Sequence, residues 1–333
     1  MKKILALLLA LWIPAAVLSG CAPQDASAAS NKLNIVTTIF PAYDWVREIL
    51  GDETDRAEIT TLLDSGVDLH SYQPTVDDIV KISECDLFLY VGGESDGWVE
   101  DALKNAPNKD RKVIRLLDVL GDSAKAEETV EGMQEEEHDH EEEEHGHEEE
   151  AEYDEHIWLS LKNAQVLVAA ISEALQESDP ARKDTYAANA AAYAEKLSAL
   201  DGEYRAAVDS GKYKTLLFGD RFPFRYLADD YGLDYYAAFP GYSAETEASF
   251  ETVSFLAGKM DALGLPCVLT IEGTQHKIAE TVVQNTAQKN QQILTMDSMQ
   301  AVTANDASSG VSYLSIMEKN LSVLKKALGQ EAE

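Results

Sequence analysis

The feature that most limits the fold is an alternation of short apolar strand patterns with helical patterns, which occurs twice along the chain. The strand patterns lie at residues 33–39, 59–63, 87–91 and 113–116, and again at 215–218, 235–239, 268–271 and 293–296. Parallel strands need a crossover between them, and that crossover is usually a helix. We therefore predict an α/β protein with two lobes, each built on a mostly parallel sheet.

A long alanine-rich helical pattern at residues 181–208 separates the two groups of strands. We predict that this helix is stiff and joins the lobes. The expected boundaries are an N-terminal lobe at 32–180, a linking helix at 181–210 and a C-terminal lobe at 211–333. A chain of 333 residues with 45% hydrophobic side chains can bury the cores that this plan requires.

The N-terminus has the plan of a bacterial export signal. Two lysines precede an apolar run at residues 4–18, which is too short to span a membrane as a stable anchor. Leu18-Ser19-Gly20-Cys21 resembles a lipobox, in which the cysteine is lipidated and becomes the mature N-terminus. We predict a signal peptide at 1–20, lipidation at Cys21 and a tether at 21–31. The alternative is an ordinary secretory leader with an incidental cysteine.

The charge balance points to a cation as the partner. Sixty Asp and Glu face 27 Lys and Arg, for a formal net charge of −33, which disfavours nucleic acid and anionic membrane surfaces. Three cysteines are too few for a disulfide framework or a thiolate zinc cluster. Whether Cys85 and Cys267 pair is left open by the sequence.

An acidic, histidine-rich stretch interrupts the N-terminal lobe at residues 127–154. Its centre, 135–150, holds eleven acids and four histidines and has no apolar side chain, so we expect a mobile loop. Imidazoles at this density predict weak, exchanging zinc sites at His138, His140, His145 and His147. The alternative is that the glutamates only solvate the loop.

Candidate ligands follow the carboxyl ends of predicted strands, where open α/β sheets bind their ligands. These residues are His70, Asp220, Glu272, His276 and Asp297. His70 lies in a polar turn rather than on an apolar face, which favours a ligand over a packed core histidine. His156 follows two acids that can accept its second ring N–H, as metal-binding histidines usually require.

Several motifs together resemble the metal-binding subunit of zinc and manganese ABC transporters, a family that includes zinc-uptake solute-binding lipoproteins. They are Gly66-Val-Asp-Leu-His-Ser-Tyr-Gln-Pro-Thr75, Glu155-His-Ile-Trp-Leu-Ser160, Tyr231-Gly232-Leu233 and Thr295-Met-Asp-Ser298. The resemblance implies one ion bound between two lobes, delivery to a membrane permease, and a monomer held outside the cytoplasm by an N-terminal lipid.

The resemblance also implies ligands. His70 and His156 match two histidine ligands of the N-terminal lobe, and Asp297 matches a carboxylate ligand of the C-terminal lobe. The remaining position falls on Arg221, whose guanidinium cannot bind a cation. His276 is the favoured replacement, with Glu272 and Asp220 as alternatives, or water could complete a site with three protein ligands. In another interpretation, Glu272 pairs with Arg221.

Two imidazoles with one or two oxygens suit Zn²⁺, whereas a carboxylate-rich shell would suit Mn²⁺. We therefore predict a zinc-binding transport protein rather than an enzyme, with a manganese-binding protein of the same type as the alternative. A surface adhesin that uses the acidic loop is a further alternative. A zinc hydrolase is the least favoured, because the chain has no His-Glu-x-x-His motif and no nucleophile elbow.

Overall fold

The computed structural model describes residues 32–104, 106–134, 152–243, 247–273 and 276–330. The predicted signal peptide, Cys21, the tether and the four loop histidines lie outside these ranges. Among the described helices, none combines the length and apolar character needed to span a bilayer.

The N-terminal sheet has four parallel strands in the order β2-β1-β3-β4. The strands are β1 (Leu33–Thr37), β2 (Ala57–Thr61), β3 (Leu87–Tyr90) and β4 (Lys112–Arg115). The helices between and after them are α1 (Phe40–Leu50), α2 (Val76–Glu84), α3 (Val99–Lys104) and α4 (Leu116–Leu120). Helix α2 begins at a capping box, in which the Thr75 hydroxyl accepts the Asp78 N–H and the Asp78 carboxylate accepts the Thr75 N–H.

Two helices follow, α5 (Leu161–Ser178) and α6 (Lys183–Ser210). Helix α6 has 28 residues and is the predicted linking helix. It buries Tyr186 and Tyr193 on the side of α1 and α5, and it buries Tyr204 nearer its C-terminal end.

The C-terminal sheet repeats the plan, with parallel strands in the order β6-β5-β7-β8. Its strands are β5 (Thr215–Phe222), β6 (Asp234–Pro240), β7 (Cys267–Thr270) and β8 (Gln292–Thr295). The helices of this lobe are α7 (Arg225–Tyr231), α8 (Phe250–Leu263), α9 (Lys277–Asn285), α10 (Ala304–Ser308) and α11 (Tyr313–Ala327). The prediction of two parallel-sheet lobes and a long helix is confirmed.

Helix α11 returns to pack on α1 and α6, so the two lobes share buried contacts. The Tyr204 hydroxyl donates to the Met317 carbonyl at 2.7 Å, and the Tyr313 hydroxyl donates to the Trp158 carbonyl at 2.7 Å. The Trp158 indole N–H in turn donates to the Ser298 carbonyl at 2.9 Å. These bonds connect α6, α11 and the segments that line the space between the lobes.

The described ends of the acidic insertion are ordered parts of the fold. Ala126 and Tyr153 form an antiparallel bridge, and the Glu127 N–H donates to the Glu152 carbonyl at 2.8 Å. Further along, the Gln134 N–H donates to the Ala238 carbonyl of β6 at 2.9 Å. Residues 127–134 therefore run from the N-terminal lobe onto the C-terminal lobe.

Cys85 and Cys267 are both buried and free. Cys85 follows α2 beside the first sheet, whereas Cys267 begins β7 in the second sheet. The question of pairing that the sequence left open is thus answered.

Candidate metal site

Two histidines of the N-terminal lobe meet at one point. His70 lies in the short 3₁₀ turn Leu69–Ser71 after β2, where the Asp68 carboxylate accepts the His70 backbone N–H at 3.0 Å. His156 directly precedes the 3₁₀ turn Ile157–Leu159 and is 1% exposed. A local turn therefore sets the backbone position of each histidine.

The Nε2 atoms of His70 and His156 are 3.2 Å apart. A tetrahedral zinc ion with Zn–N bonds of 2.0–2.1 Å holds its ligand nitrogens about 3.3 Å apart. The observed separation therefore fits two imidazoles that bind one ion.

Each imidazole has acceptor groups behind it. Nδ1 of His156 lies 3.0 Å from Oδ1 of Asp154. Nδ1 of His70 lies 2.9 Å from Oγ of Ser95 and 3.5 Å from Oε2 of Glu155. An acceptor at Nδ1 keeps the ring proton there and leaves the Nε2 lone pair for a metal.

The electrostatics of the site keep His70 neutral. Burial, the neighbouring His156 ring and the Arg221 guanidinium lower the pKa of His70 to about 3. Burial raises the pKa of the Glu155 carboxyl to about 7. A neutral imidazole is the form that binds metal, so the His70 ring needs no deprotonation near neutral pH.

Arg221 lies on β5 and forms an ion pair with Asp68. The alternative interpretation, in which Arg221 pairs with Glu272, does not match this ion pair. Glu272 instead accepts the Ser298 N–H at 2.6 Å, the Ser298 hydroxyl at 2.7 Å and the Gln300 N–H at 3.1 Å. Glu272 thus holds the loop after β8 and is not available to the guanidinium.

The candidate ligands of the C-terminal lobe make other contacts in the structure. Asp297 accepts the Met299 N–H at 2.8 Å, and burial together with the Glu272 charge raises the pKa of Asp297 to about 6. Asp220 accepts the Ile271 N–H at 3.3 Å. His276 precedes α9, and its buried Nδ1 has no hydrogen-bond partner.

Within the described residues, no three His, Cys, Asp or Glu side chains are grouped so that they could hold a metal ion. The assignment of Asp297, His276, Glu272 and Asp220 as further ligands stays a prediction. In the structure, Glu272, Asp297 and Asp220 accept backbone N–H groups of the loops on which they lie or which they support.

Gln300 is a site residue that the sequence did not indicate. Its buried amide is satisfied when the nitrogen donates to both Asp68 carboxylate oxygens at 3.2 Å. In that orientation the amide oxygen faces Nε2 of His156, at the 3.4 Å contact between the two side chains. Its position three residues after Asp297, in the same loop, was the available signal.

Comparison with known proteins identifies the family. A family model described as "Zinc-uptake complex component A periplasmic" matches residues 35–327. The chain belongs to this family. The resemblance inferred from the sequence motifs is therefore confirmed.

Two curated relatives are named as zinc proteins. The chain is 33% identical over 331 residues to the zinc-binding lipoprotein AdcA of Streptococcus pneumoniae, covering 99% of this chain and 62% of that protein. It is 30% identical over 304 residues to the high-affinity zinc uptake system protein ZnuA of Bacillus subtilis, covering 91% of this chain and 90% of that one. The chain thus spans less than two thirds of AdcA.

A solved structure shows the same architecture. The Zn(II)-bound ZnuA-like domain of Streptococcus pneumoniae AdcA matches with a TM-score of 0.68 and 30% identity, covering 90% of this chain and all of that one. The family and these relatives are metal-binding solute-binding proteins, not enzymes.

Proposed function

We propose that this chain is the extracytoplasmic zinc-binding subunit of an ABC importer, which captures one ion between its lobes and delivers it to a permease. The observation that carries the proposal is the histidine pair, whose Nε2 atoms are 3.2 Å apart and whose Nδ1 atoms face acceptors. Relatives named as zinc-binding and zinc-uptake proteins support the choice of ion.

In this proposal His70 and His156 are two of the protein ligands. Asp297 is the predicted carboxylate ligand of the C-terminal lobe, and His276 is the favoured remaining ligand, unless water completes the coordination. The amide oxygen of Gln300 faces Nε2 of His156. Two imidazoles favour Zn²⁺ over Mn²⁺, which prefers an oxygen-rich shell. A manganese-binding protein of the same type is the alternative.

Lipidation at Cys21 would hold the protein at the outer face of the cell membrane, where a permease could receive the ion. The relative from Streptococcus pneumoniae is named a lipoprotein, which supports this location. Palmitate labelling of the full chain in cells, compared with Cys21→Ala, tests the anchor; equal labelling of both chains would rule it out.

Metal capture should involve only a small movement of the lobes. Helices α6 and α11 pack against both lobes, and a shared core resists a wide hinge. Matching small-angle scattering profiles with and without zinc are expected. A large change in the radius of gyration would contradict this part of the proposal.

Calorimetric titration of zinc into the mature protein tests the site, together with metal content after dialysis. We expect one high-affinity zinc in the wild type and its loss in His70→Ala and in His156→Ala. His276→Ala and Asp297→Ala test the two further predicted ligands, and weaker zinc binding in either variant would add that residue to the site. High-affinity binding that survives in both site variants would refute the assignment.

A further inference from the structure

A permanent cation lies beside the proposed cation site. The Arg221 side chain is 17% exposed and forms an ion pair with Asp68, whose side chain is 20% exposed. A guanidinium does not lose its proton in proteins.

The fold directs Arg221 toward Asp68. Strand β5 has an irregular register against β6 between Phe218 and Arg221, and such a bulge re-aims the side chains that follow it. Within it, Gly219 packs so closely on Ala279 that a Cβ atom would lie 2.6 Å from the Ala279 Cα. Asp220 points to the Ile271 N–H, and Arg221 points to the N-terminal lobe.

Asp68 differs from Glu272 and Asp220 of the C-terminal lobe in what holds it. Its Oδ1 accepts the His70 backbone N–H, but its Oδ2 is bound by the Arg221 side chain. Burial alone would raise the pKa of Asp68, and Arg221 nevertheless keeps that pKa below its usual value. Backbone N–H groups, in contrast, bind both carboxylate oxygens of Glu272 and both of Asp220. An oxygen held by a movable side chain can be released to another cation.

This inference rests on the proposed zinc site at His70 and His156. We propose that Arg221 is a built-in competitor of the metal, and that Oδ2 of Asp68 becomes an additional protein ligand when the guanidinium leaves. Gln300 connects Asp68 to the histidine pair, because its amide contacts both Asp68 and His156. It therefore links the state in which Asp68 pairs with Arg221 to the state in which Asp68 binds the metal.

The exchange replaces one cation at Asp68 with another, so the carboxylate is never left buried and unpaired. The same guanidinium returns to Asp68 when the ion departs, which lowers the barrier to release. A chain with Arg221 should therefore bind zinc less tightly, and release it faster, than the same chain with a neutral side chain there.

The test compares zinc affinity by calorimetry and zinc release by stopped flow into a fluorescent chelator, using the mature chain. Arg221→Gln is expected to lower the Kd on the order of tenfold or more and to slow release by a similar factor, because a unit charge near the ion is removed. Arg221→Lys keeps the charge and should resemble the wild type. Arg225→Gln is the matched control, since that arginine is also 17% exposed and pairs with Glu128 at 3.1 Å.

Asp68→Asn should raise the Kd for zinc. The double variant Asp68→Asn with Arg221→Gln should not show the lower Kd that is expected for Arg221→Gln alone. Asparagine can still accept the His70 N–H, so the turn is retained. If Arg221→Gln leaves the Kd and the release rate unchanged while zinc binding still depends on His70, this inference is overturned and the proposed function stands. Zinc binding that does not depend on His70 or His156 in any variant would overturn both this inference and the proposed function.

Discussion

Asp44 offers a quantitative test of the packing that unites the lobes. It lies on α1, is 2% exposed, and accepts the Tyr313 backbone N–H at the start of α11 at 2.8 Å. Burial, only partly offset by that hydrogen bond, raises the pKa of Asp44 from 3.8 to about 6. The folded chain therefore binds the proton of Asp44 more tightly than the unfolded chain does.

Proton linkage gives the sign and the size of the contribution that Asp44 makes to stability at each pH. A raised carboxyl pKa contributes stability that is complete below pH 3.8 and is lost as the pH rises through about 6. The full contribution is about 3 kcal/mol, since one pKa unit corresponds to about 1.4 kcal/mol. Between pH 7 and pH 5, linkage with these two pKa values gives a gain of about 1.4 kcal/mol.

Asp44→Asn removes this titration and keeps an acceptor for the Tyr313 N–H. Urea unfolding of the metal-free protein at pH 7 and pH 5 should show the wild type gaining about 1.4 kcal/mol more than the variant on acidification. Asp52→Asn, an exposed acid in the turn after α1, gives the baseline. Equal changes in the free energy of unfolding of the wild type and of Asp44→Asn between pH 7 and pH 5 would refute the reasoning.

Two further predictions concern the histidine pair. Asp154→Ala removes the acceptor at Nδ1 of His156 and should weaken zinc binding about 10- to 100-fold in calorimetry, as loss of such partners usually does; an unchanged Kd would contradict the proposed role of Asp154. Burial lowers the pKa of His70 to about 3, so its ring stays neutral at pH 5.5. A chain that lacks residues 135–150 should therefore still hold one zinc at the histidine pair at pH 5.5. Loss of that zinc between pH 7 and 6.5, measured as zinc per protein after dialysis, would contradict the low pKa of His70.

Most of the architecture could be predicted because the strand signals are local. Each predicted strand lies within a residue or two of an observed one, apart from β5, which continues to Phe222 through its bulge. The helices α3, α4, α7 and α10 are too short for their apolar periodicity to distinguish them from loops. The long helix α6 was clear because its pattern persists for 28 residues.

The candidate site was predictable where its residues are held locally. His70 is positioned by Asp68 two residues earlier, and His156 by Asp154 two residues earlier. The pairing of Arg221 with Asp68 spans 153 positions in sequence and depends on the approach of the lobes. Gln300 was missed for the same reason, since only the folded loop brings its amide to His156.

Crystals of the mature protein grown with one equivalent of zinc test the central claim most directly, through anomalous diffraction at the zinc edge. The account predicts a single strong peak about 2.0–2.1 Å from Nε2 of both His70 and His156. A zinc peak that contacts neither ring, with these two Nε2 atoms bonded only to protein, would contradict it.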